Sequence, residues 1–386
     1  MGTVVGFEGA DMDKPKKIVV GCQGGGMHAA FEVGVLKAIL ENIRDKNQFE
    51  LVGLSGTSAG ALCALMTWYG LEALGSANKA IHQLEHFWED FVARAGPETF
   101  LNLLTFGALK AEECEVPLLG LYPPVFGLNP RGAVYKAAAA FLPGMGVRKE
   151  YFDLMDLLKK HCPHFNNINW KNVRTRLLIG ATEVVNGYET VFDSDVNKGP
   201  VTPPVSSWHQ RLSLSLAGVA ASGTLPAFRE AQHIDECGDY WDGLYSLNPP
   251  LREFFWDVDN APDELWVLRI NPQQWPELPK TNADIQDREN ELMGNLSLHK
   301  ELDFLLQVNR WRMQSKDFAP FGRRDVIIRT IKMRKTTVDK LPCSSKFDRS
   351  PEFIHRLRTE GHQVGKEWLD QWYQGAAGSY PADAGY

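Results

Sequence analysis

The stretch Lys17–Leu71 reads KIVVGCQGGGMHAAFEVGVLKAILENIRDKNQFELVGLSGTSAGALCALMTWYGL. Two short apolar runs, Ile18–Gly21 and Leu51–Leu54, each feed a glycine-rich turn, and each turn opens a helical stretch. The second turn is Gly56-Thr57-Ser58-Ala59-Gly60, a G-x-S-x-G pattern between a strand-like run and the apolar helix expected over Ala61–Leu71. A tight strand-to-helix turn of this kind pushes a serine hydroxyl out of the backbone, as a nucleophile elbow requires. Gly56 and Gly60 flank it because strand and helix pass too close there for a Cβ. The N-terminal amides of the following helix point toward the reacting centre.

The first turn, Gly24-Gly25-Gly26, opens a helix expected over His28–Asn42. Three successive glycines leave their N–H groups unobstructed for a developing oxyanion. A phosphate cradle is the rival reading, but neither G-x-x-x-x-G-K-[ST] nor G-x-G-x-x-G spacing is met.

Composition narrows the function classes. A chain of 386 residues with 44% hydrophobic and 23% charged residues is an ordinary globular mix, long enough for one large domain plus an extension. A net charge of −7 argues against nucleic acid, which needs clustered Lys and Arg, but leaves room for a lipid surface. The six cysteines are scattered without C-x-x-C, which favours a reducing, cytoplasmic setting. The N-terminus lacks a signal-peptide core, and Gly6 stands where a myristoylation signal wants Ser or Thr. Leu51–Leu71 is uncharged and about as long as a membrane span, yet its first half reads as strand and turn.

Further along, Ser76–Ala93 is amphipathic and contains His82-Gln83-Leu84-Glu85-His86, an H-x-x-E-H match. That spacing puts both histidines on one helix face. A solvated helix face is the stronger reading, because no third ligand is evident, and no metal or cofactor is expected. The Leu-, Phe- and Pro-rich segment 97–150 is expected to form a cap or lid, and Phe152–Lys160 a short helix. Arg176–Ala181 and Glu189–Asp193 read as a hairpin across Asn186-Gly187. Leu212–Phe228 reads as one uncharged helix, Leu265–Asn271 as a buried strand, and Val326–Met333 as an edge strand. Ile285–Gln314 and Pro351–Trp372 read as helices.

A serine hydroxyl needs a base. His299, His355 and His362 lie in charged helical surroundings, not in a loop after a strand. Asp242, in a D-G turn before Gly243, is the better candidate, since burial raises a carboxylate toward useful basicity.

GGGMHAAFEVGVL (Gly24–Leu36), GTSAG (Gly56–Gly60), AASGTLPAF (Ala220–Phe228) and Asp242-Gly243 together resemble the patatin-like phospholipases over roughly Lys16–Asn271. The extension from about Asp284 resembles a C-terminal region on some bacterial members. The resemblance implies a three-layer α/β/α sandwich with a mostly parallel central sheet and a mainly helical C-terminal extension. It implies a Ser58–Asp242 dyad without histidine, an oxyanion hole of Gly24, Gly25 and Gly26 amides, and metal-free hydrolysis of lipid acyl esters. The expected organisation is a disordered leader (1–15), a catalytic domain (16–275), a helical extension (276–374) and a disordered tail (375–386). Two departures stand out. His28-Ala29 replaces a basic residue and glycine, so a group titrating near neutrality is expected beside the oxyanion loop. Leu244 follows the Asp-Gly pair in place of a small residue, which narrows the pocket.

The primary expectation is a serine lipid acyl hydrolase of phospholipase A, lysophospholipase or carboxylesterase type, with peripheral membrane contact. The rivals are an acyltransferase on a related fold, an esterase or depolymerase of short-chain esters or storage polyesters, and a silent binding protein. Acyl-carrier transacylases commonly pair the serine with histidine, and intact Ser58, Asp242 and glycines argue against silence.

Overall fold

The computed structural model describes residues 15–46, 48–94, 96–113, 143–200, 207–226, 229–256, 261–275, 277–280, 282–314 and 325–382. A nine-stranded sheet forms its centre. Its main path runs β5 (His209–Ser213), β4 (Glu189–Asp193), β3 (Arg176–Glu183), β2 (Phe49–Thr57), β1 (Lys16–Cys22), β8 (Glu264–Arg269) and β9 (Ile327–Lys332). Neighbours are parallel except in the β3–β4 hairpin. Two short strands, β6 (Gln232–Ile234) and β7 (Gly238–Asp242), pair antiparallel with each other, and β7 pairs antiparallel with β3.

The helices are α1 (Ala30–Asp45), α2 (Ala59–Glu72), α3 (Ala77–Phe91), α4 (Gly96–Glu113), α5 (Lys149–Phe152), α6 (Leu154–His161), α7 (Leu216–Ser222), α8 (Asn282–Gln314), α9 (Lys335–Val338) and α10 (Pro351–Tyr373).

Side-chain alternation along the strands divides the interior into two cores. Ile18, Val20, Leu177, Ile179, Trp266 and Leu268 face one side, where α1, α2, α3 and α10 pack. Val19, Leu178, Leu265 and Val267 face the other, where Leu298, Leu302 and Leu305 of α8 cover them. The result is an α/β/α sandwich with a mostly parallel sheet, as expected.

The C-terminal residues are built into both faces. A Cβ on Gly361 would come within 1.9 Å of the Phe31 carbonyl, and one on Gly34 within 2.1 Å of the Arg358 carbonyl, so α10 lies against α1 backbone to backbone. Trp368 of α10 meets Trp266 edge-on at 4.7 Å. At the start of β8, buried Glu264 accepts from Lys16 (2.8 Å), Arg329 (2.7 Å), and the Trp266 and Trp372 indoles (3.0 and 2.9 Å). Burial would raise this carboxyl, but those donors hold it at about 2.

Two expectations are corrected. The apolar run from Leu212 is not one helix: its first residues close β5, and only Leu216–Ser222 is helical. The stretch Leu51–Leu71 is strand, turn and helix, as read from the sequence, and no helix among the described residues is long and apolar enough to cross a membrane. Residues 375–382, expected as disordered tail, run back along β9, where the Tyr380 amide donates to the Ile328 carbonyl at 2.8 Å. The heart of the expected cap, residues 114–142, lies outside the described residues, as do 1–14 and 383–386. Its flanks form α4 and α5, with Phe100, Leu103 and Met145 exposed.

Candidate active site

Strand register brings Ser58 and Asp242 together. On one edge of β3, Gly180 opposes Thr57 of β2, and the next residue, Ala181, opposes Asp242 of β7. The two strands therefore meet end to end along β3, one residue apart, and both chains turn away at the junction. Gly180 and Gly243 make the junction possible. A Cβ on Gly243 would lie 2.5 Å from the Gly180 carbonyl, and one on Gly180 would lie 2.7 Å from Thr57 Oγ1.

Ser58 occupies the elbow with φ 56° and ψ −129°, one of two non-glycine residues with positive φ among those described. Such a conformation costs of order 1–3 kcal/mol and persists only where the surroundings impose it. Here the Ser58 amide donates to Ser222 Oγ at 2.9 Å, and its carbonyl accepts from the Ala61 amide at 3.0 Å in the first turn of α2. Gly56 and Gly60 allow the close crossing: a Cβ on Gly56 would meet the Gly60 carbonyl at 2.4 Å, and one on Gly60 the Cys22 carbonyl at 2.4 Å.

Asp242 ends β7 as a strand residue and then caps the turn Gly243–Tyr245, so it is not loop-borne as the sequence implied. Oδ1 accepts from the Leu244 amide at 2.8 Å, while Oδ2 is buried without a hydrogen-bond partner. Burial pushes the carboxyl up to about 7, against the smaller opposing effects of the Ser58 hydroxyl and the Leu244 amide. An unpartnered buried oxygen beside a serine can accept its proton.

The glycine loop lies against the elbow. A Cβ on Gly24 would stand 2.9 Å from Ser58 Cβ. Of the three amides, that of Gly24 is already committed, donating to Asn248 Oδ1 at 2.6 Å. This removes Gly24 from the expected donor set. Among the described residues no acceptor takes the amides of Gly25 and Gly26. Gly26 has φ 59°, a conformation that favours glycine, and a Cβ there would collide with the Lys346 carbonyl at 2.3 Å.

His28 does not titrate near neutrality. It is buried, with Nε2 2.7 Å from Ser345 Oγ. Burial drives its pKa well below the ordinary range, and the Lys346 charge acts in the same direction. At neutral pH it is an uncharged hydrogen-bonding group. The late histidines are engaged elsewhere: His355 with Glu89 (3.1 Å), His362 with Glu41 (2.8 Å), and His299 beside Arg269 (3.4 Å).

The H-x-x-E-H segment does not assemble as a ligand set. His82 and His86 stack at 5.5 Å, while Glu85 pairs with Lys37 at 2.8 Å. His86, Asp90 and His161 do converge, but Asp90 is already paired with Arg94 (2.9 Å), Lys160 (3.0 Å) and His161 (2.8 Å). Protein cations already neutralise that carboxylate.

Sequence reasoning missed Ser222 and Asn248. Ser222 stands within a quoted motif, AASGT, but nothing local marks its hydroxyl as the acceptor for an amide 164 positions away.

A mostly parallel α/β/α sandwich carrying a serine on a G-x-S-x-G elbow, a buried aspartate beside it and a glycine loop against both defines a class of site built for acyl chemistry. The chain belongs to the patatin-like phospholipase family, whose sequence model matches residues 22–255. No curated protein sequence matches it. Among solved structures, the ExoU–SpcU heterodimer from the type III secretion system of Pseudomonas aeruginosa aligns at 14% identity and TM-score 0.32, over 93% of this chain and 52% of that one. A crystal structure of the type III effector ExoU aligns at 14% and 0.31, over 92% and 53%. The chain spans about half the length of those structures.

Proposed function

We propose that the chain is a serine lipid acyl hydrolase, of phospholipase A, lysophospholipase or carboxylesterase type, working through a Ser58–Asp242 dyad. The observation that carries this reading is the end-to-end meeting of β2 and β7 on β3, which sets Asp242 beside the elbow with Oδ2 unpartnered. Family membership supplies the substrate class.

In this reading Asp242 Oδ2 takes the proton from Ser58 Oγ as Oγ attacks the ester carbonyl carbon. The Gly25 and Gly26 amides receive the charge that develops on the carbonyl oxygen. Protonated Asp242 then donates to the departing alcohol oxygen as the C–O bond breaks, leaving an acyl-enzyme. Water, deprotonated by Asp242, attacks that acyl carbon, and Ser58 leaves with the proton. A carboxyl near 7 suits both halves, because one group must accept and return a proton at neutral pH. Exposed Phe100, Leu103 and Met145, within the expected cap, support peripheral contact with a lipid surface.

The test is fatty-acid release from mixed phospholipid and lysophospholipid dispersions. Wild type releases fatty acid, and Ser58→Ala and Asp242→Asn do not. Release that survives either substitution overturns the dyad.

A further inference from the structure

The oxyanion loop is held from outside the family-matched segment. Gln23, fully buried, precedes the three glycines, and its side-chain amide is used at both ends. Oε1 accepts from the amides of Ile270 and Asn271 at 3.1 and 3.2 Å. Nε2 donates to Asn295 Oδ1 of α8 at 2.9 Å. Asn295 is itself fixed, with Nδ2 donating to the Pro272 carbonyl at 2.9 Å. Two residues on, Ser297 Oγ accepts from the Asn248 amide at 3.2 Å and donates to the Ser246 carbonyl at 2.6 Å. Asn248 is the residue that holds the Gly24 amide.

Three glycines carry no side chain to fix their own backbone, and glycine loses the most freedom on ordering. Oxyanion donors act only when aimed before the charge appears. The aim must therefore come from the residues that grip the loop's entry. Asn295 is nearly fully buried, and an asparagine there satisfies both its own groups and Gln23.

We propose that Asn295 is a positioning residue for the oxyanion hole. Acting through Gln23, it sets the direction of the Gly25 and Gly26 amides, so the turn of α8 that carries Asn295 supports the oxyanion loop although it lies beyond the family-matched segment. This rests on the reading of Ser58 and the glycine loop given above.

The test uses the full chain and p-nitrophenyl butyrate, with kcat normalised to sites titrated by a fluorophosphonate probe. Asn295→Leu and the smaller Asn295→Ser are measured, so that one failing to fold leaves the other. Asn309→Ser is the control on the same helix, because Asn309 bonds only the Val326 backbone among the described residues (2.9 and 3.2 Å). The expected result is kcat per titrated site down by at least about tenfold with KM within about twofold. Asn309→Ser lowers the denaturation midpoint and leaves kcat unchanged. A kcat per site within about twofold of wild type in Asn295→Ser overturns the proposal, as does a KM that rises to account for the whole loss. Failure of the underlying reading looks different: wild type itself then carries no adduct on Ser58, and the proposal falls with it.

Discussion

The amide of Ser58 donates to the hydroxyl of Ser222 at 2.9 Å, and that hydroxyl donates to the Gly180 carbonyl at 2.6 Å. One buried side chain thus ties the strained elbow to the middle of β3. The segment that follows also holds the proposed base, since the Asp242 amide donates to the Thr224 carbonyl at 2.9 Å. Ser222→Ala strands the Ser58 amide, which costs about 1–3 kcal/mol. It also frees an elbow whose dihedrals only its surroundings impose. The expected outcome is a lower denaturation midpoint together with kcat reduced by about tenfold or more. Loss of stability with kcat intact would make Ser222 a packing residue only.

Asp242 links activity and stability in opposite senses. In the proposed mechanism the ionised form is the base, so kcat/KM should rise with pH through an apparent pKa of about 7 and then level off. The folded carboxyl holds its proton where the unfolded one, near 3.8, has lost it. Between those two values the native state binds more protons, so this group's contribution to stability falls as pH rises from about 4 to about 7 and is flat above. Asp242→Asn removes the penalty. At pH 8 it should unfold at higher denaturant than wild type, by at most about 4 kcal/mol, while inactive. A pH–rate profile flat from 5 to 9 would contradict this assignment of the base.

Tight backbone packing makes α10 sensitive to single methyl groups. With the Phe31 carbonyl 1.9 Å from where a Gly361 Cβ would stand, Gly361→Ala must push α10 away from α1. Overpacking of this kind costs about 1–3 kcal/mol, read as a lower midpoint in urea. Gly375→Ala, with nothing within 4 Å but a φ of 69°, serves as the comparison for backbone conformation without a clash. Equal effects from the two would refute the packing argument.

His28 gives an acid limb. Its folded pKa is lowered by burial, so the unfolded state takes up a proton first as pH falls below about 6.5. This group's contribution to native stability therefore falls on acidification from about 6.5 toward 5, opposite in sign to that of Asp242 and above the range where Glu264 contributes. His28→Gln can keep a bond to Ser345 without a titrating ring, and in urea melts should make the protein more stable at pH 5 relative to pH 7 than wild type is. An unchanged difference between the two pH values would show that His28 does not contribute an acid limb.

Much of this was legible in the sequence, and the reason is local. The elbow, the glycine loop, strands β1, β2, β3 and β8, the hairpin across Asn186-Gly187 and helices α8 and α10 all announce themselves through periodicity or through glycines at close approaches. Asp242 was legible by residue type but not by placement, because β7 is a five-residue strand defined by its register on β3. Strand β5 went unread because only its last two residues, Leu212 and Ser213, enter the uncharged run, whose helix starts only at Leu216, after the Ser215 cap. Asn248 and Asn295 were invisible for a different reason: their bonds, one to a backbone amide and one to a side chain, reach across 224 and 272 positions, and bonds of that span leave no pattern in the chain.

The most direct measurement is to label the purified chain with a fluorophosphonate probe and locate the adduct by peptide mass spectrometry. The account predicts one adduct, on Ser58, that is lost in Asp242→Asn and retained in His299→Ala, His355→Ala and His362→Ala. An adduct on another residue, or labelling of Ser58 at undiminished rate in Asp242→Asn, would contradict a serine activated by that aspartate.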